Sequence, residues 1–60
     1  MKPTPEQLKA LKEFARVYGR NWKHELRLAW MSGDGRDAGP LRQVRNMLGP
    51  AWLDSFTLPK

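Results

Sequence analysis

Cysteine is absent from this chain and histidine occurs once, at His24. Neither a disulfide-stapled scaffold nor a Cys/His zinc site is therefore available, and no other cofactor motif stands in their place. Long apolar runs are missing as well. The chain offers neither the core of a signal peptide nor a membrane span, and a cytoplasmic location is the default expectation. Acidic residues are scarce, six against eleven lysines and arginines, which leaves a net charge of +5 and an isoelectric point near 10.3. A field of that sign favours polyanions: nucleic acid first, with DNA ahead of RNA, and acidic protein or lipid surfaces behind.

What is present must make up for what is absent. A chain of 60 residues forms one domain and buries only about 60 % of its unfolded surface, so it needs an efficient core. Phe14, Tyr18, Trp22, Trp30, Trp52 and Phe56 can supply it, each able to bury roughly 150–250 Å².

The local signals are helical throughout. Thr4-Pro5-Glu6-Gln7 opens the first helix: Thr4 caps, Pro5 fits the first helical position and Gln7 completes a capping box. Leu8, Leu11, Phe14 or Ala15, and Tyr18 then recur at three- and four-residue spacing up to Gly19, which predicts a helix over 5–18. Asn21 is placed to cap a second helix over 22–31, with Trp22, Leu26, Ala29 and Trp30 on one face and Leu28 and Met31 widening it. The link Gly19-Arg20-Asn21 is short enough to force these two helices together.

Residues 32–39 carry three glycines and no periodicity. They lack the Gly-Lys-Ser/Thr of a phosphate loop and the carboxylates of a calcium loop, so a mobile connection with solvated Asp34 and Asp37 is expected. A third helix begins at Pro40 and runs to Leu48, with Leu41, Val44 and Leu48 on one side and Arg42, Arg45 and Asn46 on the other. Gly49 stops it, and Pro50 keeps it from resuming. A helical turn through Trp52 to Ser55 follows, and Ser55-Phe56-Thr57-Leu58 alternates like a brief extended segment before Pro59-Lys60. The fold class is all-α: a compact three-helix domain with a short C-terminal helical turn, an extended tail, and Trp52 and Phe56 over the core.

Enzyme chemistry finds little footing. His24 and Glu25 are adjacent on a helix, where neighbours point about 100° apart and cannot orient one another as base and partner. Ser32 and Ser55 have no evident base. Binding chemistry is better supplied. Lys9, Lys12 and Arg16 stand at i, i+3 and i+7 and form a basic ridge, bordered by Glu13, which Arg20, Lys23 and Arg27 extend across the turn. The bland alternative is a solvated polar face.

Two groove-reading arrangements are conceivable. In the first, Ala15 and Gly19 match part of a helix-turn-helix corner, and Lys23, His24 and Arg27 face a groove. The match fails at Glu25 and Arg20, where apolar residues are expected. In the second, Arg42, Gln43, Arg45 and Asn46 bond base edges or phosphates, although the preceding loop is too long for a tight corner. The tryptophans fall on apolar helix faces, which suits core packing better than base stacking.

The run Gly19-Arg20-Asn21-Trp22-Lys23, then Leu26-Arg27 and Trp30, then Leu41-Arg42-Gln43-Val44-Arg45-Asn46 with Leu48-Gly49-Pro50 and Trp52-Leu53, resembles a group of short uncharacterised bacterial helical proteins associated with mobile or accessory genome regions. The likeness spans Phe14 to Phe56 and brings no activity, ligand or site residues. It implies a bacterial cytoplasmic protein acting on nucleic acid or on a host protein. The expectation from the whole sequence is a non-enzymatic nucleic-acid-binding protein. In it Lys9, Lys12, Arg16, Arg20, Lys23 and Arg27 contact phosphates, and Arg42, Arg45 and Asn46 contact phosphates or bases. A module engaging an acidic partner surface is the alternative.

Overall fold

The computed structural model describes residues 2–58. Its elements are α1 (Pro5–Tyr18), a 3-10 turn (Gly19–Asn21), α2 (Trp22–Ser32), α3 (Pro40–Leu48) and a C-terminal 3-10 helix (Pro50–Ser55), with no strand among the described residues. The all-α, three-helix architecture expected from the periodicity is the one observed.

The capping box at the start of α1 forms as its sequence dictates. The Gln7 backbone N–H donates to Thr4 Oγ1 at 3.1 Å, and the Thr4 backbone N–H donates to Gln7 Oε1 at 3.1 Å. The second helix starts differently from the expectation, because Asn21 makes no side-chain cap bond. The turn before it winds as 3-10, and the Trp22 N–H donates to the Gly19 carbonyl. That i→i+3 bond satisfies the first amide of α2 without a capping side chain.

At the end of α3, Gly49 has φ 84° and ψ 157°. The positive φ demands glycine as expected, but the residue adopts the extended half of that region rather than the left-handed helical one. The chain therefore leaves the helix sharply, and Pro50 opens the C-terminal 3-10 helix across α2 and α3.

The core consists of Leu11, Phe14, Leu26, Trp30, Leu41, Val44 and Leu53, with Tyr18, Trp22, Trp52 and Phe56 packed against it half-buried. Trp52 and Phe56 stack at 4.5 Å between ring centroids, and Trp22 meets Phe56 edge-on at 6.4 Å. The lid of aromatics over the core is thus in place, while the residue driven fully inside is Leu53, at 0 % exposure. Ser55 belongs to the 3-10 helix, and extended backbone begins at Phe56. Pro59 and Lys60 lie outside the described residues.

Two expectations about burial are corrected. Leu28 and Met31 do not widen the buried face of α2 but are exposed, Met31 to 83 %. One face of an eleven-residue helix is all that α1 and the C-terminal segment cover. Asp37, expected in solvent, is 2 % exposed.

Candidate functional site

The acidic residues decide where the basic ones are available. Glu13, Glu25, Asp34, Asp37 and Asp54 each lie against an arginine, and they take up Arg16, Arg27, Arg36 and Arg42. The sixth acid, Glu6, occupies the first turn of α1, where the helix dipole favours a negative charge. Among the described residues this leaves Lys2, Lys9, Lys12, Arg20, Lys23 and Arg45 without a carboxylate partner, three of them on α1 and the turn beyond it.

Arg36 is the busiest of the paired arginines. Its Nε donates to Asp34 Oδ2 at 2.9 Å and its Nη1 to Glu25 Oε2 at 3.1 Å, while the guanidinium lies over the Tyr18 ring at 5.8 Å from the centroid. Tyr18, then Glu25 and Asp34, hold this guanidinium above its ordinary pKa. The Asp34 carboxyl is held below the usual carboxylate range, chiefly by the backbone N–H of Arg36 at 3.0 Å. Together these contacts pin the loop expected to be mobile onto α1 and α2. Glu25 is thereby committed to Arg36, and His24 stands exposed on the outer side of α2.

The C-terminal 3-10 helix takes two of the expected phosphate contacts. Lys23 Nζ donates to the Phe56 carbonyl, and Arg27 pairs with Asp54. Lys23 and Arg27 stand one turn apart on α2, so they strap that segment down along the flank of the helix. A groove-reading role for Lys23, His24 and Arg27 together would require this strap to leave.

On α3 the candidate base readers are also partly engaged. Arg42 Nη2 lies 3.5 Å from the buried Asp37 carboxylate. Gln43 Oε1 accepts from Gln7 Nε2 at 3.3 Å, and the same amide nitrogen lies 3.4 Å from Met47 Sδ. Arg45 and Asn46 are exposed, with no bonded side-chain partner among the described residues.

The ridge on α1 keeps its cations. Lys9, Lys12 and Arg16 are exposed, and Arg20 is exposed on the turn beyond them. Among the described residues no carboxylate pairs with Lys9, Lys12 or Arg20, while Arg16 reaches Glu13 with Nη2 at 2.8 Å and Nε at 3.2 Å. That hydrogen bond raises the pKa of a guanidinium that is charged at any working pH in either case. At 3.6 residues per turn the three ridge residues fall within about 60° of one another and cover about 10 Å along the axis.

Gln7 shows how the two basic regions are disposed. It joins α1 to α3 through Gln43 and Met47. The ridge lies roughly 170° around α1 from Gln7, and Arg42, Arg45 and Asn46 lie roughly 130° around α3 from Gln43 and Met47, by the same helical geometry. The two groups of cations thus turn away from each other across the α1–α3 contact.

Sequence reasoning did not anticipate Gln7 or Asp37. Gln7 was legible as a cap, but nothing local says that its amide also spans to α3. Glu13 was read only as the border of the ridge, although its i, i+3 spacing from Arg16 is one at which helix neighbours meet.

Among the described residues no group of His, Asp and Glu side chains comes together as a metal site, and no helix is long and apolar enough to cross a membrane. The class of protein so defined is a small all-α domain with a basic ridge on its first helix and five of its six acids held in internal pairs with arginines. No family model, curated protein or solved structure matches the chain.

Proposed function

We propose that this chain is a small non-enzymatic nucleic-acid-binding protein, with DNA the preferred polymer over RNA. The observation that carries this reading is the supply of unpaired charge: five of the six acids are occupied by arginines, and of the exposed cations left without a carboxylate among the described residues, Lys9, Lys12 and Arg20 follow one another along α1 and the turn beyond it. A row of exposed cations releases counterions when it meets phosphates, which gives affinity without any reacting group. Arg16 contributes from the same ridge, while Arg45 and Asn46 lie on a separate polar flank outside this contact. Lys23, Arg27 and Arg42 are engaged with the C-terminal segment and with Asp37 and stand outside the contact. The resemblance to short bacterial proteins of mobile genome regions suggests the bacterial cytoplasm as the setting.

Fluorescence anisotropy of labelled nucleic acid, titrated at two salt concentrations, tests the reading. Binding that weakens as salt rises is expected. Absence of binding at low salt would remove it.

A second reading is a module that engages an acidic surface on another protein. Val17 and Met31 are exposed to 64 % and 83 %, and apolar side chains of this kind add contact area to a protein partner but little to a phosphate backbone. A partner that survives nuclease treatment in a pull-down, with no duplex competing for it, would favour this alternative.

A further inference from the structure

Resting on the nucleic-acid reading, we propose that the ligand is the phosphodiester backbone of a double-stranded nucleic acid, gripped through Lys9, Lys12, Arg16 and Arg20 without readout of base sequence. Three independent observations lead there.

The first concerns the side chains that could read bases. Bidentate recognition of guanine or adenine uses the free ends of Arg, Gln or Asn on an element that enters the major groove. Here Gln43 bonds Gln7, Arg42 is directed to Asp37, and the 3-10 segment lies against Lys23 and Arg27. Arg45 and Asn46 retain free ends, but they lie on a flank turned away from the ridge. A duplex seated on α1 does not reach them.

The second concerns stacking. Proteins that hold single strands do so with aromatic faces offered to unpaired bases. All six aromatic side chains of this chain belong to the core or pack against it: Phe14, Tyr18, Trp22, Trp30, Trp52 and Phe56. None stands on the ridge. A single strand would find charge there and no platform, whereas a duplex needs only the charge.

The third is the form of the ridge itself. Lys9, Lys12 and Arg16 make a straight row about 10 Å long, with Arg20 beyond its end. Phosphates on one strand of a duplex advance about 3.4 Å each along the axis, so such a row is long enough for about three of them, and Arg20, exposed on the turn that follows, is the fourth cation of the proposed contact. Four contacts predict a log–log salt slope of about −3.6, which is a loss on the order of 100-fold between about 50 and 200 mM salt.

The test is anisotropy with the full chain against two DNA duplexes of equal composition and scrambled sequence, the corresponding duplex RNA, and one of the DNA single strands. The two DNA duplexes should bind equally, and each duplex, DNA or RNA, should bind more tightly than the single strand. Lys9→Gln combined with Lys12→Gln should weaken duplex binding and make the slope shallower by about 2. Arg45→Gln should leave affinity within about twofold, because that flank is outside the contact. Glu13→Gln, which frees Arg16 and removes a repulsive charge, should tighten binding about two- to fivefold.

Preference for the single strand, discrimination between the scrambled duplexes by about tenfold or more, or a loss with Arg45→Gln that Lys9→Gln and Lys12→Gln do not produce would each overturn this mode of binding while leaving nucleic-acid binding intact. A wild-type chain that binds none of the four probes overturns both.

Discussion

Trp30 and Trp52 look equivalent in the sequence, and the structure separates them. Trp30 is 6 % exposed and belongs to the central cluster, whereas Trp52 lies half-buried against it. Trp30→Ala should therefore cost about 3–5 kcal/mol, enough to unfold a domain of this size, and Trp52→Ala distinctly less. Trp30 is also less than ideal for its place, since its Nε1–H is buried with no acceptor among the described residues. Urea melts that gave the two variants equal midpoints would contradict the assignment of Trp30 to the interior. Arg42 and Arg45 form a second such pair. Asp37 is buried and has Arg42 as its cationic neighbour at 3.5 Å, while Arg45 touches no carboxylate among the described residues. Arg42→Ala strands a buried charge and should cost about 1–2 kcal/mol, at the low end for such a loss because the contact is long and the guanidinium half-exposed. Arg45→Ala should stay within about 0.5 kcal/mol. The same melts, run on both variants, check the difference.

At the scale of elements, legibility followed locality. The start of α1 could be read because Thr4 and Gln7 complete each other within one turn, and the three apolar stripes could be read because a helix repeats its buried face every three or four residues. The exposure of Leu28 and Met31 could not be read this way. Periodicity says that they share a flank, but only the placement of α1 and the C-terminal segment decides which flank of α2 is covered. The tie of Arg36 to Glu25, eleven residues away, and the burial of Asp37 were hidden for the same reason. On the candidate site, the ridge of Lys9, Lys12 and Arg16 was visible as spacing. The engagement of Lys23 and Arg27 by the 3-10 helix was not, since it joins α2 to a segment that follows two further connections. That segment depends on one corner. Gly49 holds φ 84° and ψ 157°, a region that side-chain-bearing residues avoid, even though a Cβ there would meet no neighbouring atom. Gly49→Ala should therefore destabilise by about 1–3 kcal/mol through backbone strain alone. Because Leu53 and its neighbours hang from this corner, the loss should appear together with altered tryptophan fluorescence. A variant with an unchanged melt would show that the corner can be made another way.

Across the whole molecule, the scarcity of acids links stability to the same charges that suit the ridge to phosphate. Among the described residues every ion pair joins one of five carboxylates to an arginine, and acid protonates carboxylates in general while leaving guanidinium groups charged. The net charge then climbs from +5, and self-repulsion grows with it. Asp34 gives this a definite sign. Its folded-state pKa lies below the ordinary carboxylate value, first because of the Arg36 backbone N–H and further because of the Arg36 and Ser32 side chains. A carboxyl that binds its proton less readily when folded contributes stability that is present above its unfolded pKa of about 3.9 and is lost as the pH falls through the lower folded value. Asp34→Asn should accordingly melt at a lower temperature than the wild type at neutral pH, and the gap should narrow below about pH 4. Thermal melts followed by circular dichroism at a series of pH values provide the check. A gap that stayed constant into strong acid would mean that the Asp34 carboxylate does not hold the loop through its charge. The pinning of residues 33–39 to α1 and α2 would then rest on the Arg36 contacts with Glu25 and Tyr18.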